Sequence, residues 1–235
     1  MKSLYILYTG GTIGMTQTPQ GLQPSRDIVA TALQPHAGSL KTSAASLCEI
    51  KPTWHICDPL IDSSALTPQH WANWLTLLQT ALAQHDAILI LHGTDTLAYT
   101  ANLLALALNP HGKPIILTGS QKPLGAPNSD APANLHTALA AIQNPSNHGV
   151  LLAFNGKLIP IGSSKTTTEH DNGFANPHFG TWQTENGQPE NAPAPYCSSL
   201  KRQFNPHTRV VPILLTPSNM LDNAAAQLNP NESDA

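Results

Sequence analysis

At 235 residues, 40% of them hydrophobic and 11% charged, the chain has apolar material enough for a sizeable core and too little charge for a solvated, disordered polymer. The net charge of −3 is spread without a block of either sign, which excludes an electrostatic footprint for nucleic acid or an acidic membrane and leaves a small molecule as the default partner. Cys48, Cys57 and Cys197 are odd in number, widely spaced and free of any C-x-x-C pair, so they suit buried, reduced thiols in the cytoplasm rather than a disulfide framework.

The run Leu4 to Tyr8 reaches Thr9-Gly10-Gly11 too soon for a signal peptide or a membrane span, and reads as a first strand. Further apolar runs follow at Trp54 to Cys57, Ala87 to Leu91, Pro114 to Thr118 and Val150 to Phe154. Their apolarity is continuous rather than alternating, which predicts strands of a parallel sheet covered on both faces. Between them lie helical patterns. The clearest starts with Thr67 as N-cap and Pro68 in the first helical position, and sets Trp71, Trp74, Leu75, Leu78 and Leu82 on one face. A second is expected from Leu97 to Leu108, and a third from Pro132 to Gln143 with Leu135, Leu139 and Ile142 facing inward. Strand and helix alternate to about residue 155, so the fold class is α/β: a doubly wound, mostly parallel sheet with helices on both faces.

From Gln183 the composition shifts to Pro, Asn, Glu, Gly and Ser, as in a linker. The expected organisation is a first domain over 1–182, a linker over 183–208, and a remnant over 209–235 made of a strand-like run, Arg209 to Leu215, and a polar tail. That remnant is too short to build a core of its own.

In a doubly wound sheet ligands gather beyond the carboxyl ends of the strands, so the loops there are the candidates for chemistry. After the first strand comes Thr9-Gly10-Gly11-Thr12-Ile13-Gly14, whose glycines permit a tight turn and expose amides able to stabilise an oxyanion, with the Thr12 hydroxyl at the tip. Its glycine spacing matches neither a dinucleotide fingerprint nor a phosphate-binding Walker loop. A turn that only lets strand and helix pack is the competing explanation. After the Ala87 to Leu91 strand comes His92-Gly93-Thr94-Asp95-Thr96, where Thr94 or Asp95 could simply cap the next helix, although capping needs only one of them. The third loop is Gly162-Ser163-Ser164-Lys165-Thr166-Thr167-Thr168. Taken alone Lys165 reads as a surface lysine, but a partly buried amine is among the few groups able to deprotonate a threonine near neutral pH. Nucleophile, base, oxyanion donors and recognition groups are thus all represented. The eleven histidines show no paired ligand spacing, and no metal site is expected.

At these residues the sequence resembles the bacterial asparaginase family. The blocks that carry the likeness are Thr9 to Gly14, His92 to Thr96, and Lys165 with Thr168 and Phe174; Asp62-Ser63-Ser64, Leu97-Ala98-Tyr99-Thr100-Ala101 and Leu117-Thr118-Gly119-Ser120-Gln121 favour its cytoplasmic type I branch. The resemblance implies hydrolysis of the side-chain amide of L-asparagine to aspartate and ammonia, without cofactor or metal. It implies Thr12 as nucleophile, with Gly11 and Gly93 shaping the oxyanion turns, and Thr94, with Asp95 and Lys165, as a second threonine centre. Asp62, Ser63 and Ser64, together with Thr94 and Asp95, would bind the substrate's α-carboxylate and α-ammonium groups.

Three departures stand out. The family usually carries a tyrosine on the loop after the first motif, where this chain has Leu22, and a glycine where Ser129-Asp130 is followed by Ala131. Family members also continue into a smaller α/β domain through which they form homodimers or homotetramers. On this reading the chain loses that domain after its first strand, and a catalytically impaired relic that at most binds asparagine or aspartate is the alternative to an active enzyme. A further alternative is a serine amidase built on Ser163-Ser164-Lys165.

Overall fold

The computed structural model describes residues 2–25, 27–33, 50–166, 173–177, 180, 182–183 and 204–207. Among them the expected alternation appears as β1 (Lys2–Tyr8), a hairpin of β2 (Met15–Thr18) and β3 (Gly21–Pro24), α1 (Asp27–Ala32), β4 (Ile50–Ile56), α2 (Pro68–Gln84), β5 (Ala87–Leu91), α3 (Leu97–Ala107), β6 (Pro114–Thr118), α4 (Ala131–Gln143) and β7 (Gly149–Phe154). Four short strands follow: β8 (Lys157–Ile159), β9 (Ser164–Lys165), β10 (Phe174–Ala175) and β11 (Trp182–Gln183).

The main sheet has seven strands in the order β11-β8-β7-β6-β5-β1-β4. From β4 to β7 every pairing is parallel, while β8 and β11 add antiparallel at one edge. The chain leaves β1 for β4 on one side and then crosses back to build β5, β6 and β7 on the other. The order therefore reverses between β1 and β5, and the crevice beyond their carboxyl ends is where such a sheet binds ligands.

Each continuous apolar strand is divided by its pleat between two cores. Ile88 and Ile90 of β5 face a layer with Trp74, Leu78 and Leu82 of α2 and Leu97, Ala101 and Leu104 of α3. Ala87, Leu89 and Leu91 face Leu135, Ala138 and Ile142 of α4 and Val29 of α1. Cys57 is a free buried thiol, pushed up by burial. Cys48 and Cys197 lie outside the described residues.

Helix α2 begins as its sequence requires: Pro68 opens it, and the backbone N–H of Thr67 donates to His70 Nδ1 at 3.0 Å. Its far end is closed by Lys113 Nζ, which donates to the carbonyls of Leu82 (2.6 Å) and His85 (2.9 Å).

The structure differs from the sequence reading at β4, which runs Ile50–Ile56 with exposed Lys51, Pro52, Thr53 and His55 rather than as a covered apolar run from Trp54 to Cys57, at the unexpected β2–β3 hairpin, and at two later points. Gln183, expected to open a linker, pairs with Lys157 in the sheet. Lys165, expected in a loop directly after β7, is separated from it by β8 and stands on a strand of its own, paired with Phe174. Two- and three-residue strands are set by neighbouring chain rather than by local apolar pattern, which is why neither showed in the sequence. The chain divides into two compact units, Met1–Phe204 and Asn205–Ala235. Most of the expected linker and the run from 209 onward lie outside the described residues, as do Thr167 and Thr168.

Leu78 is fully buried between α2 and the sheet. Leu78→Ala is expected to remove about 2–5 kcal/mol of stability, read in urea unfolding as a lower midpoint with unchanged slope.

Candidate active site

The parallel strands end at a common level. Tyr8 stands opposite both Ile56 and Leu91, and Leu91 opposite Thr118. The backbone N–H of Thr9 donates to Leu91 O (3.0 Å), that of His92 to Thr118 O (2.9 Å) and that of Ile61 to Thr9 O (2.7 Å), so the loops leaving β1, β4, β5 and β6 start side by side.

Two of those loops touch through bare backbone. Gly11 has φ of +92°, and a Cβ on it would lie 2.5 Å from both the Cα and the N of Gly93. A Cβ on Gly93 would in turn overlap the side chain of Ser63, whose Cβ would be 2.7 Å away. Real side chains do not pack that closely, so both positions require glycine for close approach. Thr12 and Thr94 follow the two contacting glycines directly, and the contact sets the two threonine-bearing turns against each other. Thr12 opens a short 3-10 turn, Thr12–Gly14, and is half-buried; Thr94 is 6% exposed.

Ser63 opens a second 3-10 turn, Ser63–Ala65, and is buried. Its hydroxyl oxygen accepts from the backbone N–H of Asp95 at 3.3 Å, and its carbonyl accepts from the Thr96 hydroxyl at 2.9 Å. Asp62 Oδ1 accepts from both the N–H and the hydroxyl of Ser64, each at 2.9 Å, and these bonds hold its carboxyl below the usual carboxylate range. Asp62 thus builds the turn that presents Ser63. Neither Thr94 nor Asp95 caps α3: the cap position falls to Thr96, whose hydroxyl is turned to Ser63.

Lys165 Nζ lies 2.7 Å from Asp95 Oδ1, joining the third candidate loop to the second. The lysine side chain is 16% exposed and the carboxylate 55%, so the cation is sheltered while the anion opens to solvent. The flanking serines point elsewhere. Ser163 Oγ donates to Asn102 Oδ1 (3.3 Å) and Ser164 Oγ to Ala175 O (3.5 Å), so the Ser-Ser-Lys hydrogen-bond chain that a serine amidase needs is not formed.

Sequence reasoning did not place Gln121 or Asp130 at this site. The Thr94 hydroxyl donates to Gln121 Oε1 at 3.4 Å. Gln121 is held in turn by the Asp130 carboxylate, which accepts from the backbone N–H of Gln121 (2.9 Å) and of Lys122 (3.0 Å) and from Asn134 Nδ2 (3.0 Å). Gln121 Nε2 is buried without a partner among the described residues. The sequence signal was available: Gln121 follows a buried parallel strand, at the end of the sheet where ligands bind. At Ala131 the altered turn closes through its N–H, which donates to Ser129 Oγ at 3.1 Å.

Behind the site, His92 is fully buried. Its Nδ1 lies 2.7 Å from Gly93 O, which can only accept, so Nδ1 carries the proton. Nε2 then accepts from the Thr100 hydroxyl (2.9 Å), which itself accepts from Trp71 Nε1 (2.9 Å). Burial pushes His92 down to about 4, so the ring stays neutral and pins the Gly93 carbonyl. In front, the β2–β3 hairpin follows Thr12. Its base is fastened by Ser25 N to Gly14 O (2.8 Å) and by the Tyr8 hydroxyl, which donates to Ser25 O at 3.2 Å. Tyr8 is pushed up to about 12 by burial and remains a donor. Leu22 on β3 is 49% exposed.

Among the described residues no three His, Cys, Asp or Glu side chains come together to hold a metal ion. None of the described helices is long and apolar enough to cross a membrane.

Comparison with known proteins gives the same direction. Residues 3–193 match the family model described as asparaginase, N-terminal. L-asparaginase 1 of Escherichia coli K12 is 39% identical over 179 residues, covering 74% of this chain and 49% of that protein. The structure of L-asparaginase I from Vibrio cholerae aligns with a TM-score of 0.61 at 36% identity, over 75% of this chain and 51% of the other. A probable cytoplasmic L-asparaginase from Campylobacter jejuni aligns with a TM-score of 0.63 at 29% identity, over 77% and 55% respectively. The chain thus spans about half the length of the relatives it matches.

Two measurements check this geometry. Gly11→Ala places a methyl group against the Gly93 backbone in a strained conformation, and is expected to cost at least about 2 kcal/mol in denaturant unfolding. For His92, the unfolded ring takes a proton below its ordinary 6.5 while the folded ring refuses one until about 4. Stability should therefore fall as pH drops through that window, and His92→Gln should flatten the slope. An equal slope in both proteins would show that His92 is not the group responsible.

Proposed function

The chain belongs to the asparaginase family, and from that premise we propose that it hydrolyses the side-chain amide of L-asparagine to L-aspartate and ammonia in the cytoplasm. The observation that carries the reading is the Gly11–Gly93 backbone contact, which sets the Thr12 and Thr94 turns against each other with the Asp95–Lys165 pair alongside. Residues 1–182 form the catalytic domain in this proposal.

In the first half-reaction Thr12 Oγ attacks the amide carbon, and the oxyanion that forms draws on backbone N–H groups of the two glycine turns. The hydroxyl proton goes to the leaving nitrogen, so ammonia departs and an ester to Thr12 remains. In the second, water attacks the ester with Thr94 taking part in removing its proton, and aspartate leaves as Thr12 regains its own. The open carboxylate of Asp95 pairs with the substrate's α-ammonium group, while Lys165 balances its charge and holds it in place. The sheltered Ser63 and its turn receive the α-carboxylate. Gln121 keeps the Thr94 hydroxyl oriented until substrate arrives.

The decisive experiment is ammonia release by the purified chain with asparagine and glutamine compared. Thr12→Ala and Thr94→Ala are each expected to lower kcat by at least about 1000-fold while unfolding at the wild-type temperature. Binding of aspartate by calorimetry without any turnover would instead support a binding relic. Turnover that survives Thr12→Ala would remove the threonine mechanism.

A further inference from the structure

We propose that Asn102 is a positioning residue that sets Lys165 beside Asp95, so that a single helix governs both members of the ion pair. The inference rests on the hydrolase reading for its kinetic test and on the geometry alone for its spectroscopic one.

Helix α3 begins two residues after Asp95 and carries a face of Leu97, Ala98, Thr100, Ala101, Leu104 and Ala105 into the core. Asn102, half-buried in the middle of that helix, is out of place by propensity: asparagine is a poor former of helix interiors because its amide competes for backbone groups. Here the amide bonds to chain some sixty residues away. Asn102 Oδ1 accepts from the backbone N–H of Gly162 (2.9 Å) and from the hydroxyl of Ser163 (3.3 Å), and its Nδ2 donates to Ser163 O (2.9 Å). The side chain offers one acceptor and one donor to the segment, as a neighbouring strand would.

That substitution for a strand is needed. Lys165 sits on β9, whose two residues pair, among the described residues, with the two of β10, and even with the Thr166 N–H donating to Gly173 O at 2.8 Å a ladder so short has little stability of its own. The segment is fastened first at Pro160 and Ile161, whose carbonyls accept from Asn176 Nδ2 at 3.2 and 2.8 Å. It is fastened again at Gly162 and Ser163 by Asn102. Ser163 is buried and Lys165 lies two residues beyond it; between them the Ser164 hydroxyl reaches only its own ladder partner, Ala175 O, at 3.5 Å, so among the described residues Asn102 makes the last side-chain hydrogen bonds to this segment from outside β9 and β10 before the lysine. Because α3 also starts from the Thr94-Asp95 turn, helix rigidity is converted into a set distance between Asp95 and the chain bearing Lys165.

The test is a cycle of Asn102→Ala and Lys165→Met, singly and together, measured as kcat and KM for asparagine. Asn102→Ala is expected to lower kcat at least tenfold with KM changed less than threefold. Asn102→Asp keeps the acceptor for Gly162 and Ser163 and should lose less. In the Lys165→Met background Asn102→Ala should change kcat less than twofold, because the group it positions is gone. A wild-type kcat in Asn102→Ala, or a loss that persists undiminished without Lys165, would overturn the proposal. If the wild-type chain releases no ammonia, the hydrolase reading fails by itself. The 15Nζ signal of Lys165 then decides: it should move in Asn102→Ala or, where that variant does not fold, in Asn102→Asp. An unmoved signal, or failure of both variants to fold, would reduce Asn102 to a purely structural residue.

Discussion

The site depends on one steric constraint: the backbones of Gly11 and Gly93 meet where no side chain fits between them. Each glycine ends a turn that leaves a fully paired parallel strand, so their positions are inherited from the ladder joining β1 to β5. A rigid sheet can thereby hold two hydroxyl-bearing turns against each other without long side chains bridging them. Ser63 closes the third side of this contact, packed on Gly93 and bonded to Asp95 and Thr96. The result is a cluster of short polar side chains and peptide groups at the reversal of strand order.

Charge is arranged around that contact in two different ways. Behind it, His92 is kept neutral by burial and spends both ring nitrogens on fixed partners, so it holds the Gly93 turn without bringing charge near Thr12 and Thr94. In front, Asp95 and Lys165 form an ion pair whose anion faces solvent and whose cation is sheltered. Such a partly exposed pair contributes little to stability, about 1 kcal/mol or less; in the proposed function it presents a carboxylate at a defined place to the substrate's cationic group. Anchoring residues surround the pair: Asp130 holds the Gln121 loop, Asn176 and Asn102 hold the segment before Lys165, and Asp62 builds the Ser63 turn. Asparagine and aspartate recur in these roles because their short side chains can satisfy backbone groups of a neighbouring loop.

Much of this was legible in the amino-acid order. Four of the five principal strands, β1, β5, β6 and β7, are continuous apolar runs, and α2 announces itself through Thr67, Pro68 and its periodic Trp and Leu residues. The glycine-rich turn at Thr9 to Gly14 and the His92 to Thr96 turn could be picked out because they follow buried parallel strands, at the end of the sheet where ligands gather. Those features are local: they follow from the period of the pleat and the helix and from the backbone freedom of glycine, all of which are written within a few neighbouring residues.

The tertiary structure decided everything that joins distant segments. No local pattern indicates that Gly11 and Gly93 touch, that Gln121 accepts from Thr94, or that Asn102 grips Gly162 and Ser163. The hairpin after Thr12 and the strand under Lys165 were likewise invisible, since strands of two to four residues carry too few side chains for a period to show. Order along the chain determined which turns stand ready for chemistry. Which of them meet, and which amide or carboxylate holds each in place, was decided by strand register and by long-range contacts, because these pairings are between residues tens of positions apart.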